Sequence, residues 1–299
     1  MITDVPGIRV GHATNAAALT GVTVVLCDRP ATCGVELRGG ANDVTGLDYL
    51  DPGHLVPTVN GVVLGGGSRF GGESIWGVLR YLEERGVGFA VGPTVVPHVP
   101  GAFLFDLNVG DGGVRPTRES GYQAAAAAAA GPVAEGSVGA GTGASVGKLH
   151  GIARAMRGGI GSASVRLGEV VVGALVAGTR EAPDGRRLID TVRTLAAGGA
   201  LARFAAPEHT TIGVIATNAR LGKPEASRVA SLGMLGFARA LSPPHTTFDG
   251  DTLFALSVGD LPADLTCVGL AAADAVARAI VRGVRAATSL PHLPAARDL

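Results

Sequence analysis

Apolar and β-branched residues gather in short runs at residues 21–26, 61–64, 88–91, 170–177, 211–216 and 252–257. Runs of about four to eight such residues predict buried strands. Between them the periodicity changes. Ile75, Val78, Leu79 and Leu82 share one face of a helix predicted over residues 73–85, with Gly86 where a C-terminal cap belongs. An alanine-rich helix is expected over 118–130, and two more over 223–241 and 266–287, the last small and apolar along one face. The proline-containing tail, 290–299, predicts a loose or docking terminus. Helices alternate with strands, and no serine-rich or strongly charged linker divides the chain. A single domain of residues 1–299 and mixed α/β (α+β) class is therefore expected.

Composition narrows the function without selecting it. The 299 residues suffice for a substantial core; 47 glycines against 4% aromatics imply tight turns and a core of Val, Leu, Ile and Ala. Basic and acidic residues balance at 25 each, which gives no electrostatic case for nucleic acid or an anionic membrane surface. No charge-free apolar run is long enough to span a bilayer, and Met1-Ile2-Thr3-Asp4 lacks the features of a signal peptide. Cys27, Cys33 and Cys267 show neither CxxC nor metal-site spacing, so a reduced, cytoplasmic chain is expected. The seven histidines form no HxxxH or HExxH pair, which argues against a metal site. Ser145-Val146-Gly147-Lys148 superficially resembles a phosphate-binding loop. Thr142 stands where its first glycine belongs and Leu149 replaces the Mg²⁺-binding hydroxyl, so nucleotide binding is rejected.

The candidate chemistry lies in Pro244-His245-Thr246-Thr247-Phe248-Asp249-Gly250-Asp251-Thr252, a turn rich in hydroxyls and carboxylates that feeds the last apolar run. A threonine at such a turn can attack the carbonyl before it and break the chain. It then becomes an N-terminal residue whose own amine, with a pKa of about 8, takes the hydroxyl proton. The plainer reading is an Asp-Gly turn entering a strand, with threonine present because β-branched residues suit strands.

Dispersed stretches in a fixed order add to this. They are residues 2–12 (Ile-Thr-Asp-Val-Pro-Gly-Ile-Arg-Val-Gly-His), 65–71 (Gly-Gly-Gly-Ser-Arg-Phe-Gly), 136–144 (Gly-Ser-Val-Gly-Ala-Gly-Thr-Gly-Ala), 158–164 (Gly-Gly-Ile-Gly-Ser-Ala-Ser), Ala216-Thr217-Asn218-Ala219, and the stretch from His245 to Asp251. In these the chain, up to about residue 285, resembles the P1 or S58 peptidase family, which includes L-aminopeptidase/D-esterases, β-peptidyl aminopeptidases and nylon-oligomer hydrolases. The resemblance implies an αββα-type sandwich of stacked sheets flanked by helices, as in ornithine acetyltransferases. It also implies an N-terminal-nucleophile aminopeptidase or amidohydrolase acting on short peptides, amides or esters through a threonine acyl-enzyme, without a cofactor and as a homotetramer. Self-cleavage would give residues 1–245 and 246–299.

Carried over residue by residue, the resemblance makes Thr246 the nucleophile and His245–Thr246 the scissile bond. Thr247 and Thr252 stay open, and matching the following strand instead would put the serine of other members at Asp249. Asn218 matches an oxyanion donor, with an ordinary turn or N-cap asparagine as the alternative. Glu135 matches an acidic position that meets the substrate's amine, and Lys148 lies near a tyrosine of some members. Asp249 and Asp251 would orient the hydroxyl or the new amine, or simply close the turn. Two departures stand out: Arg157 replaces a lysine that could act as a base, and Gly178-Thr179-Arg180 lacks an asparagine donor. Three rivals remain: an acyltransferase of the ornithine-acetyltransferase type, a hydrolase of ω-amino-acid oligomers, and a catalytically weak amine- or peptide-binding member.

Overall fold

The computed structural model describes residues 1–148, 152–178 and 209–299. Its strands are β1 (Ile8–Asn15), β2 (Thr20–Arg38), β3 (Val44–Thr45), β4 (Val59–Gly65), β5 (Phe89–Val91), β6 (Thr94–Val96), β7 (Gly101–Phe103), β8 (Ser145–Val146), β9 (Met156–Arg157), β10 (Gly159–Leu167), β11 (Val170–Gly178), β12 (Ile212–Ala219) and β13 (Asp251–Leu261). The helices are α1 (Glu73–Glu83), α2 (Arg118–Ala126), α3 (Lys223–Gly233), α4 (Leu235–Ala240) and α5 (Leu265–Ala286).

The organising element is β2. Its first half pairs with β1 and β4, and its second half pairs with β13. The register breaks between Leu26 and Ala31, where Asp28, Arg29 and Pro30 are exposed. Proline has no N–H to give to a ladder and suits such a break. The strand order is β10-β11-β12-β13-β2-β4-β7-β3, with β1 beside β2. Because β2 bends, one hydrogen-bonded sheet folds over as two stacked faces. Most pairs are antiparallel; β12/β13 and β4/β7 are parallel.

Alternation along each strand divides its side chains between two layers. Phe254 and Leu256 join Val25, Leu64 and Leu175 between the two sheets. Leu253 and Ala255 face the other way, onto Val229, Phe237, Val276 and Ile280 of α3–α5. Val24 and Val63 pack under Val78 and Leu82 of α1 and Ala124 of α2. The layers run helices, sheet, sheet, helices, the αββα sandwich that the resemblance implied. At one contact α5 lies directly on β10: a Cβ at Gly161 would come 2.2 Å from the Ala279 carbonyl oxygen.

Several expected elements change. The run at 21–26 is the opening of the longer β2. The run at 88–91 is not a buried strand; β5 pairs with β6 in a separate two-stranded hairpin that leaves Val91 and Val96 exposed. The helix expected over 223–241 divides at Met234 into α3 and α4, and that expected over 118–130 ends at Ala126. The tail docks: Leu293 and Ala295 are buried, and the Pro294 carbonyl accepts from the Arg157 N–H at 2.7 Å.

Candidate active site

The parallel register sets the geometry of one rim. Ile212 faces Thr252, Ala177 faces Ile212, and Gly159 faces Gly178. The starts of β13, β12 and β10 and the end of β11 therefore share an edge. The loop before β13 folds over it. Asp249 donates its N–H to the Thr246 carbonyl at 3.0 Å, and its Oδ2 accepts the Thr246 N–H, which closes residues 246–249 into a reciprocal turn. The Asp249 carbonyl accepts from Ala41 and the Gly250 N–H reaches the His209 carbonyl. Gly39, at φ 86°, lets the chain after β2 run under this turn, since a Cβ there would lie 2.1 Å from the Asp249 carbonyl oxygen.

His245 sits in the left-handed region at φ 60°. Its N–H and its Nδ1 both lie within hydrogen-bond distance of Asp251 Oδ2, at 3.2 and 2.9 Å, and its ring stacks on Phe237 with centroids 5.7 Å apart. The buried Asp251 also accepts the Thr211 N–H at 3.0 Å through Oδ1. Asn42 donates to the Asp251 carbonyl. Of the three candidate threonines, Thr246 has a buried hydroxyl with no hydrogen-bond partner among the described residues. Thr247 is exposed, and the Thr252 hydroxyl donates to the Gly250 carbonyl at 3.3 Å.

The glycine-rich segment 139–148 and the strand β9 paired with it carry one buried cation each. Lys148 is buried near Asp106. Burial raises the Asp106 carboxyl above its usual range, against the pull of the Gly67 N–H, the Thr20 hydroxyl and Lys148. Arg157, paired with this segment through β8 and β9, is 1% exposed. Its Nη2 donates to the Thr142 carbonyl, while Nε and Nη1 are buried without partners among the described residues, and burial lowers its pKa. Such a guanidinium is poised for negative charge. Among the described residues, no group of three or more His, Cys, Asp and Glu could hold a metal ion.

The model of peptidase family S58 matches residues 1–294. The chain belongs to peptidase family S58. An uncharacterised aminopeptidase of Mycobacterium tuberculosis is 40% identical over 346 aligned positions, which cover 100% of this chain and 97% of the relative. A 6-aminohexanoate-oligomer endohydrolase of a Kocuria species is 30% identical over 277, covering 86% and 75%. The solved L-aminopeptidase D-Ala-esterase/amidase of Ochrobactrum anthropi, described as a variant of the Ntn hydrolase fold, superposes with a TM-score of 0.76 at 23% identity, covering 98% and 88%; it bears on the fold. The S58 chain is thus a hydrolase with an Ntn-type sandwich.

Within this S58 fold, Thr246, His245, Asp249 and Asp251 come together in one loop, and Arg157, on β9, lies two residues before β10 begins at the same rim. Asn218 does not join them. It lies near the end of β12, six residues past Ile212 and so about 20 Å along the strand. Its Oδ1 accepts the Val171 N–H and its Nδ2 donates to the Glu169 carbonyl, pinning the β10–β11 turn. Glu135 does not join them either: its carboxylate accepts the Ser162 N–H and both arms of Arg282 at 2.9 and 2.6 Å, between β10 and α5. Thr179 and Arg180 lie outside the described residues. Asn42, Thr211 and Phe237 were not singled out from the sequence. Asn42, after Gly39-Gly40, carried the one available signal, a polar residue in a glycine turn at a strand end.

Proposed function

We propose that this S58 hydrolase is a self-processing aminopeptidase or amidohydrolase that cuts its own His245–Thr246 bond and then uses Thr246 as an N-terminal nucleophile. The observation that carries the reading is the Thr246 hydroxyl, buried without a partner among the described residues, following a residue held at φ 60°. In the processed form the Thr246 amine, held by Asp249, takes the hydroxyl proton as Oγ1 attacks an amide carbonyl. Arg157 supplies positive charge at the rim for the developing oxyanion, a role that Asn218 cannot fill from the far end of β12. Water then releases the acyl group and restores the hydroxyl. We read the working form as cytoplasmic from its cysteine usage and as a single domain from its undivided sequence, and as a homotetramer without a cofactor by family resemblance.

A second reading, endo-acting hydrolysis of amide oligomers, is favoured by Glu135, whose carboxylate is already engaged by Arg282 and the Ser162 N–H. It also agrees with the name of the Kocuria relative.

The test is denaturing intact mass of the purified chain beside Thr246→Ala. Two fragments, the second starting at Thr246 and absent in the variant, support the reading; a chain that stays uncut on long incubation sinks it. The processed enzyme is then offered peptides with free and acetylated N-termini. Rejection of acetylated peptides supports aminopeptidase action, and cleavage of both supports the oligomer hydrolase.

A further inference from the structure

The two sheets part where β2 passes from one to the other, and the parting leaves a cavity. β13 has β2 beside it as far as Ser257, which faces Thr32; one residue earlier in β2, Ala31 already pairs with Val59 of β4. On its other side β13 sets Ser257 against Thr217 and then slips, so that Leu261 next meets Ala219. The slip calls for Gly259, since a Cβ there would lie 2.1 Å from the Asn218 carbonyl oxygen. Ser257 pins the floor: its hydroxyl donates to the Ala219 carbonyl at 2.6 Å and accepts the Leu221 N–H at 3.0 Å. Between these strand ends lies a cavity of about 230 Å³ whose lining includes Arg29, Pro30, Arg220, Leu221, Val258 and Asp260. It stands at the far end of β12, about 23 Å along that strand from Ile212 and the candidate active site.

Opposite charges line this cavity without meeting. Arg29 is committed to the wall, where its Nη2 donates to the Val258 carbonyl at 3.0 Å and its Nη1 stands 3.6 Å from Asp260 Oδ2. The second contact is longer than a hydrogen bond and lies in solvent, so it holds the carboxylate weakly. The exposed Arg220 guanidinium has neither an ion pair nor a hydrogen bond among the described residues, and Asp260 is beyond salt-bridge distance from it. Leu221 and Val258, both buried, and Pro30 make the apolar part of the lining.

We propose that this cavity binds a free α-amino acid with a small apolar side chain. The carboxylate meets Arg220, the ammonium meets Asp260, and the side chain rests on Pro30, Leu221 and Val258. An α-amino acid carries both charges on one carbon, and so bridges a cation and a carboxylate that do not reach each other. A simple anion would gain Arg220 but face the Asp260 carboxylate, and a simple amine would gain Asp260 but face Arg220; each arrangement sets like charges together. The volume is that of about eight waters, which is room for a molecule the size of valine. The site goes beyond the hydrolase reading and uses no residue of the catalytic rim.

Isothermal titration calorimetry on the full chain compares L-valine with 3-methylbutanoate, which lacks the amine, and isobutylamine, which lacks the carboxylate, at matched ionic strength. The expected result is that valine binds and that each analogue binds at least about tenfold more weakly, the loss that goes with one charge-assisted contact. Arg220→Met should weaken valine about tenfold and leave isobutylamine as it was, and Asp260→Asn should weaken valine about tenfold and leave 3-methylbutanoate as it was. Both side chains are exposed, so melting temperatures without ligand should match the wild type. No binding of valine overturns the proposal. So does 3-methylbutanoate binding as tightly as valine, which would make this an anion site alone. Valine binding that both variants keep overturns it too, because the amino acid then sits elsewhere on the chain.

Discussion

Replacing Arg157 by methionine should move stability and activity in opposite directions. The guanidinium is 1% exposed, holds one bond to the Thr142 carbonyl, and leaves Nε and Nη1 unpartnered among the described residues. Methionine has comparable reach and no donor to satisfy. Each unmet buried donor costs about 1–3 kcal/mol, and losing the Nη2 bond gives back about 1–2 kcal/mol. Burial also works against the charge itself, which is why the Arg157 pKa lies below its usual range. The net expectation is a gain of up to about 5 kcal/mol. With an unfolding entropy of about 2.1 cal/mol/K per residue, a chain of 299 residues should then melt up to about 8 °C higher.

Stability is to be read on chains that also carry Thr246→Ala, so that the arginine and methionine forms share one covalent state. Urea midpoints and melting temperatures suffice. Activity is read with Thr246 present, as the rate of self-cleavage and of peptide hydrolysis. If Arg157 meets the oxyanion as proposed, its loss should slow the chemistry by about two to three powers of ten. A lower melting temperature in the methionine chain would mean that Arg157 is a strut for segment 139–148. A higher one with unchanged rates would mean that its charge faces no reacting atom. Either result refutes the reasoning.

Two further outcomes follow from the same contacts. Asn218→Ala should lose about 1–3 kcal/mol through its two hydrogen bonds to the β10–β11 turn and leave the self-cleavage rate unchanged, measured by urea melts and intact mass. His12 lies 2.9 Å from the Thr23 hydroxyl, which accepts the Ala140 N–H, and burial lowers its pKa to about 4 from 6.5. Between those values the unfolded chain binds a proton that the folded chain refuses, so stability falls with falling pH. The loss by pH 4 is at most about 3 kcal/mol, and a urea-midpoint series in which His12→Asn fails to flatten that slope counts against it.

The strands that the sequence showed plainly are those whose side chains face two apolar layers, such as β11 and β13. Those it hid have physical reasons. In β2, Cys27-Asp28-Arg29-Pro30 breaks the apolar run because the chain leaves one sheet there and enters the other. In β10, Gly159, Gly161, Ser162 and Ala163 are buried but small, because α5 rests on the strand backbone and leaves no room for the large residues that hydropathy detects. The hairpin of β5 and β6 misled in the opposite sense, since its valines are apolar yet face solvent.

The site divides along the same line. His245, Thr246, Asp249 and Asp251 are joined by one loop, so local spacing was enough to group them. Asn218 depended on a fact that no local pattern carries, the direction in which β12 and β13 pair. Had they been antiparallel, the end of β12 would meet the start of β13 and Asn218 would stand beside Thr246. They are parallel, Thr217 faces Ser257 deep along β13, and the asparagine is carried to the opposite rim. Glu135 depended on α5, whose Arg282 reaches back across 147 positions of sequence to take its carboxylate. A carboxylate with a bidentate arginine and a backbone N–H already on it has little left to offer a substrate amine.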